Sequence, residues 1–252
     1  MASLLRSAVG VARLLRIGGH IVRGTFTIWR TFDRLSHAER NHAVEQWARQ
    51  FLRLCDIELR VHGPVPANGP LLLVANHLSW LDIPVIHASR HCRFVSKSDV
   101  KKWPVVGVLA NAAGTLFIER NSRRDAMRTV TRMEEAIRAG DMVGIFPEGT
   151  TGDGDALLPF HANLLQAAIA AEAPVQALGL CFYDRQSGQL SRAPSYVGDE
   201  SLMGSIWRTV TAPPLVAQLH YGHPSLAEGR TRREWSDDLY VEIDQLRRPI
   251  NL

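Results

Sequence analysis

His77 and Asp82 stand five residues apart in Asn76-His77-Leu78-Ser79-Trp80-Leu81-Asp82, directly after the apolar run 71–75. On a regular helix, residues five apart sit ~140° around the axis, so the two side chains would not face each other. A strand that ends at His77, turns, and starts a helix near Ser79 brings them together. The carboxylate then accepts from one imidazole nitrogen and fixes the tautomer, leaving the other nitrogen free to take a proton from an alcohol. With no nucleophilic Ser or Cys arrangement beside the pair, the chemistry is activation of a substrate hydroxyl for direct attack on an activated acyl group. The plainer reading is a loop histidine and a helix-capping aspartate.

Two further blocks have the residue types of a binding site. Gly114-Thr115-Leu116-Phe117-Ile118-Glu119-Arg120 reads as a strand that delivers Arg120 at its carboxyl end, with a helix starting just beyond Ser122. An arginine beside the free N–H groups of a helix start makes an anion site; the same residues also suit a solvated surface cluster. Phe146-Pro147-Glu148-Gly149-Thr150-Thr151-Gly152 follows another apolar run and presents its backbone to a ligand, or forms a simple glycine-rich turn. Glu148 at that strand tip suits a cationic partner such as Arg120, or a substrate hydroxyl. The sequence holds no Gly-x-Ser-x-Gly elbow, no Gly-x4-Gly-Lys loop and no His-Glu-x-x-His. His87 and His91 share a helix face but have no acidic or cysteine partner at useful spacing, so no metal is expected.

Elements must hold these blocks in place. Short apolar runs at 71–75, 94–96, 115–119, 143–146, 175–183 and 215–221 read as strands. Helical patterns lie between several of them, at 82–90, 104–112, 122–139 and 161–172. Ser36-His37-Ala38-Glu39 and Thr231-Arg232-Arg233-Glu234 are capping boxes that open helices running to about Cys55 and Arg247. Alternating strands and helices predict an α/β fold with a mostly parallel central sheet flanked by helices, its ligands gathered beyond the carboxyl ends of the strands. The expected division is an N-terminal helical segment, residues 1–60, and an α/β domain, residues 61–252.

The 252 residues are 46% hydrophobic and 21% charged, which suits a real core and excludes disorder or a disulfide-stapled miniprotein. Cys55, Cys92 and Cys181 are odd in number and far apart, so a disulfide framework or cysteine-rich zinc site is not expected. Lys97, Lys101 and Lys102 are the only lysines among 29 basic residues; the arginine bias suits phosphate handling. A net charge of +4 without a recognised module gives nucleic-acid binding no support.

Residues 1–30 carry Arg6, Arg13, Arg16, Arg23 and Arg30 and no acid. On a helical wheel the five arginines fall within roughly 120°, with Leu4, Val11, Leu14, Leu15, Ile21, Val22, Phe26 and Trp29 on the other side. Gly18-Gly19 is a potential break. Such a helix lies in a lipid headgroup layer, packs on the protein's own core, or serves as a cleaved presequence. No stretch reaches the roughly 18 uncharged apolar residues of a membrane span.

The order and separation of the three blocks, Asn-His-x4-Asp, Gly-Thr-x-Phe-Ile-x-Arg and Phe-Pro-Glu-Gly-Thr, resemble the glycerolipid acyltransferase family over roughly residues 60 to 225. The resemblance implies an α/β acyltransferase domain with an N-terminal amphipathic membrane-docking helix at the cytoplasmic face of the inner membrane, peripheral or monotopic. It implies transfer of a fatty acyl group from acyl-CoA or acyl-carrier protein to the hydroxyl of lysophosphatidate, with no metal and no bound cofactor. His77 matches the general base and Asp82 its orienting acid. Gly114, Thr115 and Arg120 match the acceptor block, with Arg120 on the phosphate, and Glu148, Gly149 and Thr150 match the third block. Lys97 is an added contact for phosphate or an acidic carrier protein, and backbone N–H groups near Gly149 are the expected oxyanion donors. The segment 103–113 is apolar enough to line an acyl groove or to fill the core. Thr151-Gly152 stand where many members carry Arg-Ser, and Ala177 replaces the second proline of a fourth block. These departures keep open another acceptor, such as a lyso-ornithine lipid.

Overall fold

A computed structural model describes residues 2–119, 122–248 and 250. Arg120, the expected phosphate contact, lies outside the described residues, as do the side chains of Leu4 and Arg123. Strands β1 (Ile57–His62), β2 (Leu71–Ala75), β3 (Arg93–Lys97), β4 (Leu116–Ile118), β5 (Met142–Ile145), β6 (Val175–Asp184) and β7 (Leu215–Tyr221) form one sheet in the order β1-β7-β6-β2-β5-β3-β4. Among the described strands the pairings are parallel apart from β6 with β7. The carboxyl ends of β2, β3, β4, β5 and β6 therefore share one end of the sheet.

The helices are α1 (Ala2–Thr31), α2 (His37–Leu54), α3 (Asp82–Ser89), α4 (Val106–Ala112), α5 (Arg123–Arg138), α6 (Gln166–Ala170), α7 (Leu202–Thr211) and α8 (Arg232–Leu246). They cover both faces, which is why β2 and β5 are buried at every position and read as continuous apolar runs. Alternation along β2 splits the core. Leu71, Leu73 and Ala75 face a layer with Phe51, Leu52, Val85 and Ile86, whereas Leu72 and Val74 face Met133, Ile137, Trp235 and Ile243. Both expected capping boxes are formed, at Ser36/Glu39 and Thr231/Glu234.

Two elements escape the sequence expectations. β1 pairs with β7 in parallel and straddles residue 60, so the sheet begins before the expected domain start. α7 follows the N-cap Ser201, whose side chain accepts from the Gly204 N–H. The helix expected at 161–172 is a 3-10 turn, Ala162–Leu165, running into the short α6.

α1 runs unbroken through Gly18-Gly19. It has three faces rather than two. Gly10, Ile17 and Gly24 are buried on the domain, and a Cβ at Gly24 would lie 2.4 Å from Trp47 Nε1, so glycine permits the close approach to α2. Val11, Leu15, Val22, Phe26 and Trp29 point away from the domain within ~60° of one another, and Trp29 is 76% exposed. Arg13 departs from the expected outward arginine face. Its Nη1 donates to the Val210 and Ala212 carbonyls at 2.9 and 3.1 Å, and its Nη2 donates to Asp56 at 2.7 Å. Among the described residues no helix is long and apolar enough to cross a membrane.

Candidate active site

The site begins where β2 leaves the sheet. Asn76 is buried, and its side chain pairs with Leu180 of β6: Nδ2 donates to the Leu180 carbonyl at 3.0 Å, and Oδ1 accepts from the Leu180 N–H at 2.8 Å. An amide side chain thus supplies the last rung of the ladder and frees the main chain to turn. His77 follows on that turn, its N–H donating to Glu148 Oε1 at 2.7 Å and its carbonyl accepting from the Gly152 N–H at 2.8 Å.

The turn brings together the pair that a helix would separate. His77 Nδ1 lies 2.7 Å from Asp82 Oδ2. The same oxygen accepts from the Leu78 and Ser79 N–H groups at 2.7 and 2.9 Å, and Asp82 opens α3, where the helix dipole favours a negative charge. Asp82 is fully buried, while the His77 side chain is 19% exposed. A carboxylate acceptor at Nδ1 assigns the proton there and leaves Nε2 as the basic nitrogen. Among the described residues Nε2 has no hydrogen-bond partner. The ring lies flat on Phe146, which lies flat on Phe94, with centroid distances of 4.0 and 5.3 Å.

Glu148 is buried and braces the main chain instead of opening to solvent. Oε1 holds His77 N–H and Oε2 accepts from Leu158 N–H at 2.7 Å. Burial pushes its carboxyl above the usual range, and those two N–H donors together with His77 pull it back. Gly149 turns the chain at φ +72, and its N–H is spent on the Phe146 carbonyl at 3.1 Å, so it is not the expected oxyanion donor. Thr150 is exposed, and Thr151 donates to the Tyr196 carbonyl.

A family model for acyltransferases matches residues 58–180. Against the 1-acyl-sn-glycerol-3-phosphate acyltransferase of Neisseria meningitidis serogroup B, the chain is 41% identical over 184 residues, covering 72% of this chain and 71% of the relative. The chain belongs to the glycerolipid acyltransferase family. The lyso-ornithine lipid O-acyltransferase of Pseudomonas aeruginosa is 34% identical over 195 residues, 77% of this chain and 74% of that one. The fold matches the crystal structure of the 1-acyl-sn-glycerophosphate acyltransferase PlsC from Thermotoga maritima, with a TM-score of 0.73 at 18% identity over the whole of both chains.

In this acyltransferase the described part of the second block, residues 114–119, runs the length of β4. Gly114, at φ +71, and Thr115 close α4: their N–H groups return to the Asn111 and Ala110 carbonyls at 3.0 Å each, a Schellman stop. They precede β4 and so lie away from His77; what they position is the strand. Lys97 ends β3 at the His77 end of the sheet and is exposed. β3 and β4 are the second and third strands from β2, about 10 and 14 Å across the sheet at the usual strand spacing.

Sequence reasoning missed Asn76 as a ladder rung and Phe146 as the floor under the imidazole. An amide immediately before the histidine and an aromatic immediately before Pro147-Glu148 were the available signals. His87 and His91 stack on each other at 5.2 Å, and burial drives the His87 imidazole down to about 3. Among the described residues no group of three or more His, Cys, Asp or Glu is placed to hold a metal.

Proposed function

We propose that the chain moves a fatty acyl group from an acyl thioester, acyl-CoA or acyl-carrier protein, to the free hydroxyl of lysophosphatidate, giving phosphatidate and a free thiol. The observation that carries this reading is the 2.7 Å contact of His77 Nδ1 with buried Asp82, which leaves Nε2 as the basic nitrogen of a partly exposed side chain. Nε2 takes the hydroxyl proton as the oxygen attacks the thioester carbonyl. The C–O bond forms, the C–S bond breaks, and the proton passes from the imidazolium to the departing sulfur. Asp82 orients the ring and steadies its transient charge. Glu148 fixes the His77 main chain, and Gly149 and Thr150 shape the loop around it. Lys97 and Arg120 receive the acceptor's phosphate; from Lys97 at the end of β3 the lateral distance is one that a glycerol phosphate and a long basic side chain span together. The acyl donor is a substrate, so the reaction needs no resident cofactor.

Within the expected segment 1–60 it is α1 that associates with the membrane, its outer stripe seated in the headgroup layer at the cytoplasmic face of the inner membrane, while α2 and the start of β1 belong to the domain core. The free apolar face at Val11, Leu15, Val22, Phe26 and Trp29 supports this, as does the arginine face beside it.

The test is thiol release by purified protein from acyl-CoA and from acyl-carrier protein, with and without lysophosphatidate. Release should require the acceptor and fall roughly 100-fold or more in His77→Ala. Retained release in that variant would remove His77 from the chemistry. A second acceptor is favoured by the Pseudomonas relative and by Thr151-Gly152 in the third block. Preference for a lyso-ornithine lipid, unaffected by Arg120→Ala, would select it.

A further inference from the structure

The segment between β3 and α4 has no part in the chemistry above, and its composition is not that of an ordinary solvated loop. Residues 97–108 hold all three of the chain's lysines against a single acid, Asp99. Trp103, Val105, Val106 and Val108 follow the Lys101-Lys102 pair, and each is more than 40% exposed. The core filling expected as one reading of this segment is therefore absent from its first half. Loop tips normally carry small or polar residues; here the loop and the first turn of α4 together present four large apolar side chains within six positions.

That presentation is held at a conformational cost. Val105 sits at φ 66 and ψ −56, and Val106 N–H donates to the Pro104 carbonyl at 2.7 Å, a tight γ-turn of the strained, positive-φ kind. For a β-branched residue this is an outlier, and such conformations persist where the surroundings enforce them. The enforcement is visible at Gly107, where a Cβ would lie 2.3 Å from the Lys101 carbonyl oxygen. The start of α4 is thus pressed against the 3-10 turn Ser98–Lys102. The loop rises from the carboxyl end of β3, the sheet end that carries His77, and α4 packs beside α1, whose outer stripe is itself apolar.

We propose that Trp103-Pro104-Val105-Val106 is a second lipid-inserting element, which enters the headgroup–acyl boundary of an anionic bilayer while Lys101 and Lys102 meet lipid phosphates. The inference rests on the membrane reading of α1 and extends it: the His77 end of the sheet is turned toward the bilayer, and the acceptor reaches Nε2 from lipid rather than from water. An indole with basic neighbours suits that boundary, its body apolar and its N–H wet.

The experiment uses the full chain with an environment-sensitive fluorophore on Trp103→Cys. The native thiols do not compete, because burial pushes Cys55 up to about 12, Cys181 up to about 11 and Cys92 upward as well. Leu15→Cys on α1 reports the first element. Leu226→Cys, exposed beyond β7 at the opposite sheet end, is the reference. On vesicles of phosphatidylglycerol and phosphatidylethanolamine, the probes at 103 and 15 should shift to the blue, gain intensity and be quenched by brominated lipid; the probe at 226 should not change. A probe at 103 that stays in water while the probe at 15 enters lipid would overturn the proposal and leave α1 docking intact. Silence at both positions would overturn both. Unlabelled Trp103→Glu should weaken vesicle binding roughly tenfold. It should slow turnover of vesicle-borne acceptor while sparing a short-chain monomeric one; equal loss on both acceptors would also count against insertion.

Discussion

His77 lies face to face with Phe146, ring centroids 4.0 Å apart and planes within 10° of parallel. Asp82 grips the edge of the imidazole, and Phe146 supports its flat side. Together they leave Nε2 one direction in which to point. Phe146 also begins the segment that carries Glu148, so the loop that floors the ring braces the main chain from which it hangs.

Removing that floor should cost rate more than binding. Phe146→Leu is expected to lower kcat about three- to tenfold with little change in acceptor KM, the range an aromatic pair supplies. Phe146→Tyr should retain most of the rate. Steady-state kinetics on both variants checks the stack; an equal loss in the two would assign Phe146 to packing alone.

Glu148→Gln replaces one acceptor oxygen with an N–H2 that must face the N–H of His77 or Leu158. A buried donor left without a partner costs about 1–3 kcal/mol. Tm should therefore fall by roughly 2–12 °C in a chain of this size, and kcat should fall with it. Calorimetry and kinetics together decide the role, since a raised acceptor KM at unchanged Tm would make Glu148 a substrate contact instead.

His87 should set part of the acid sensitivity. It is buried, its Nδ1 has no partner among the described residues, and burial followed by the nearby His91 holds it down to about 3. A depressed value means the unfolded chain binds the proton more readily. The stability that neutral His87 contributes is complete above pH 6.5 and drains away as pH falls toward 3. The slope approaches about 1.4 kcal/mol per pH unit. His87→Leu, similar in volume and unable to ionise, should flatten that decline. Denaturant unfolding stepped from pH 7 to pH 4 measures it.

The glycines of α1 divide by what they face. Gly24 sits against the Trp47 indole, itself stacked between His20 and Phe51 at 4.9 and 5.4 Å, so Gly24→Val should lift the helix and destabilise the fold by about 1–3 kcal/mol. Gly18 has nothing within 4 Å of an added Cβ, and Gly18→Ala should stabilise by up to about 1 kcal/mol through helix propensity. Opposite shifts in Tm are the expected result.

Much of this arrangement is legible in the sequence. Runs buried on both sides, such as 71–75 and 142–145, announce central strands because every position must be apolar. Geometry allowed the His77–Asp82 pairing, since a helix forbids it and a strand-to-helix turn permits it; the resemblance of the three blocks to the acyltransferase family is what selected it over a helix-capping role. β1 was harder: Ile57-Glu58-Leu59-Arg60-Val61-His62 alternates plainly, but directly after a long helix its charged positions resemble a helix end. α7 hid because Gly204, Ser205, Thr209, Val210 and Thr211 are poor helix formers whose helix is kept by packing. Gly114 and Thr115 misled for a different reason. A Schellman stop and a ligand loop require the same backbone freedom, and the residues alone do not tell which end of a strand they occupy.

Arg13 gives the N-terminal helix a second office. Its guanidinium closes the carboxyl end of α7, and α7 carries Ser205, whose hydroxyl accepts from the Trp80 indole N–H at 3.2 Å in the loop that also holds His77. Cutting away residues 1–30 would therefore strip a wall as well as the proposed anchor, baring Trp47 and uncapping α7. A form of the enzyme that stays in water is better reached by recolouring Leu15, Val22, Phe26 and Trp29 with polar side chains and leaving the inner face untouched. Solubility and catalysis can then be engineered on opposite sides of one helix.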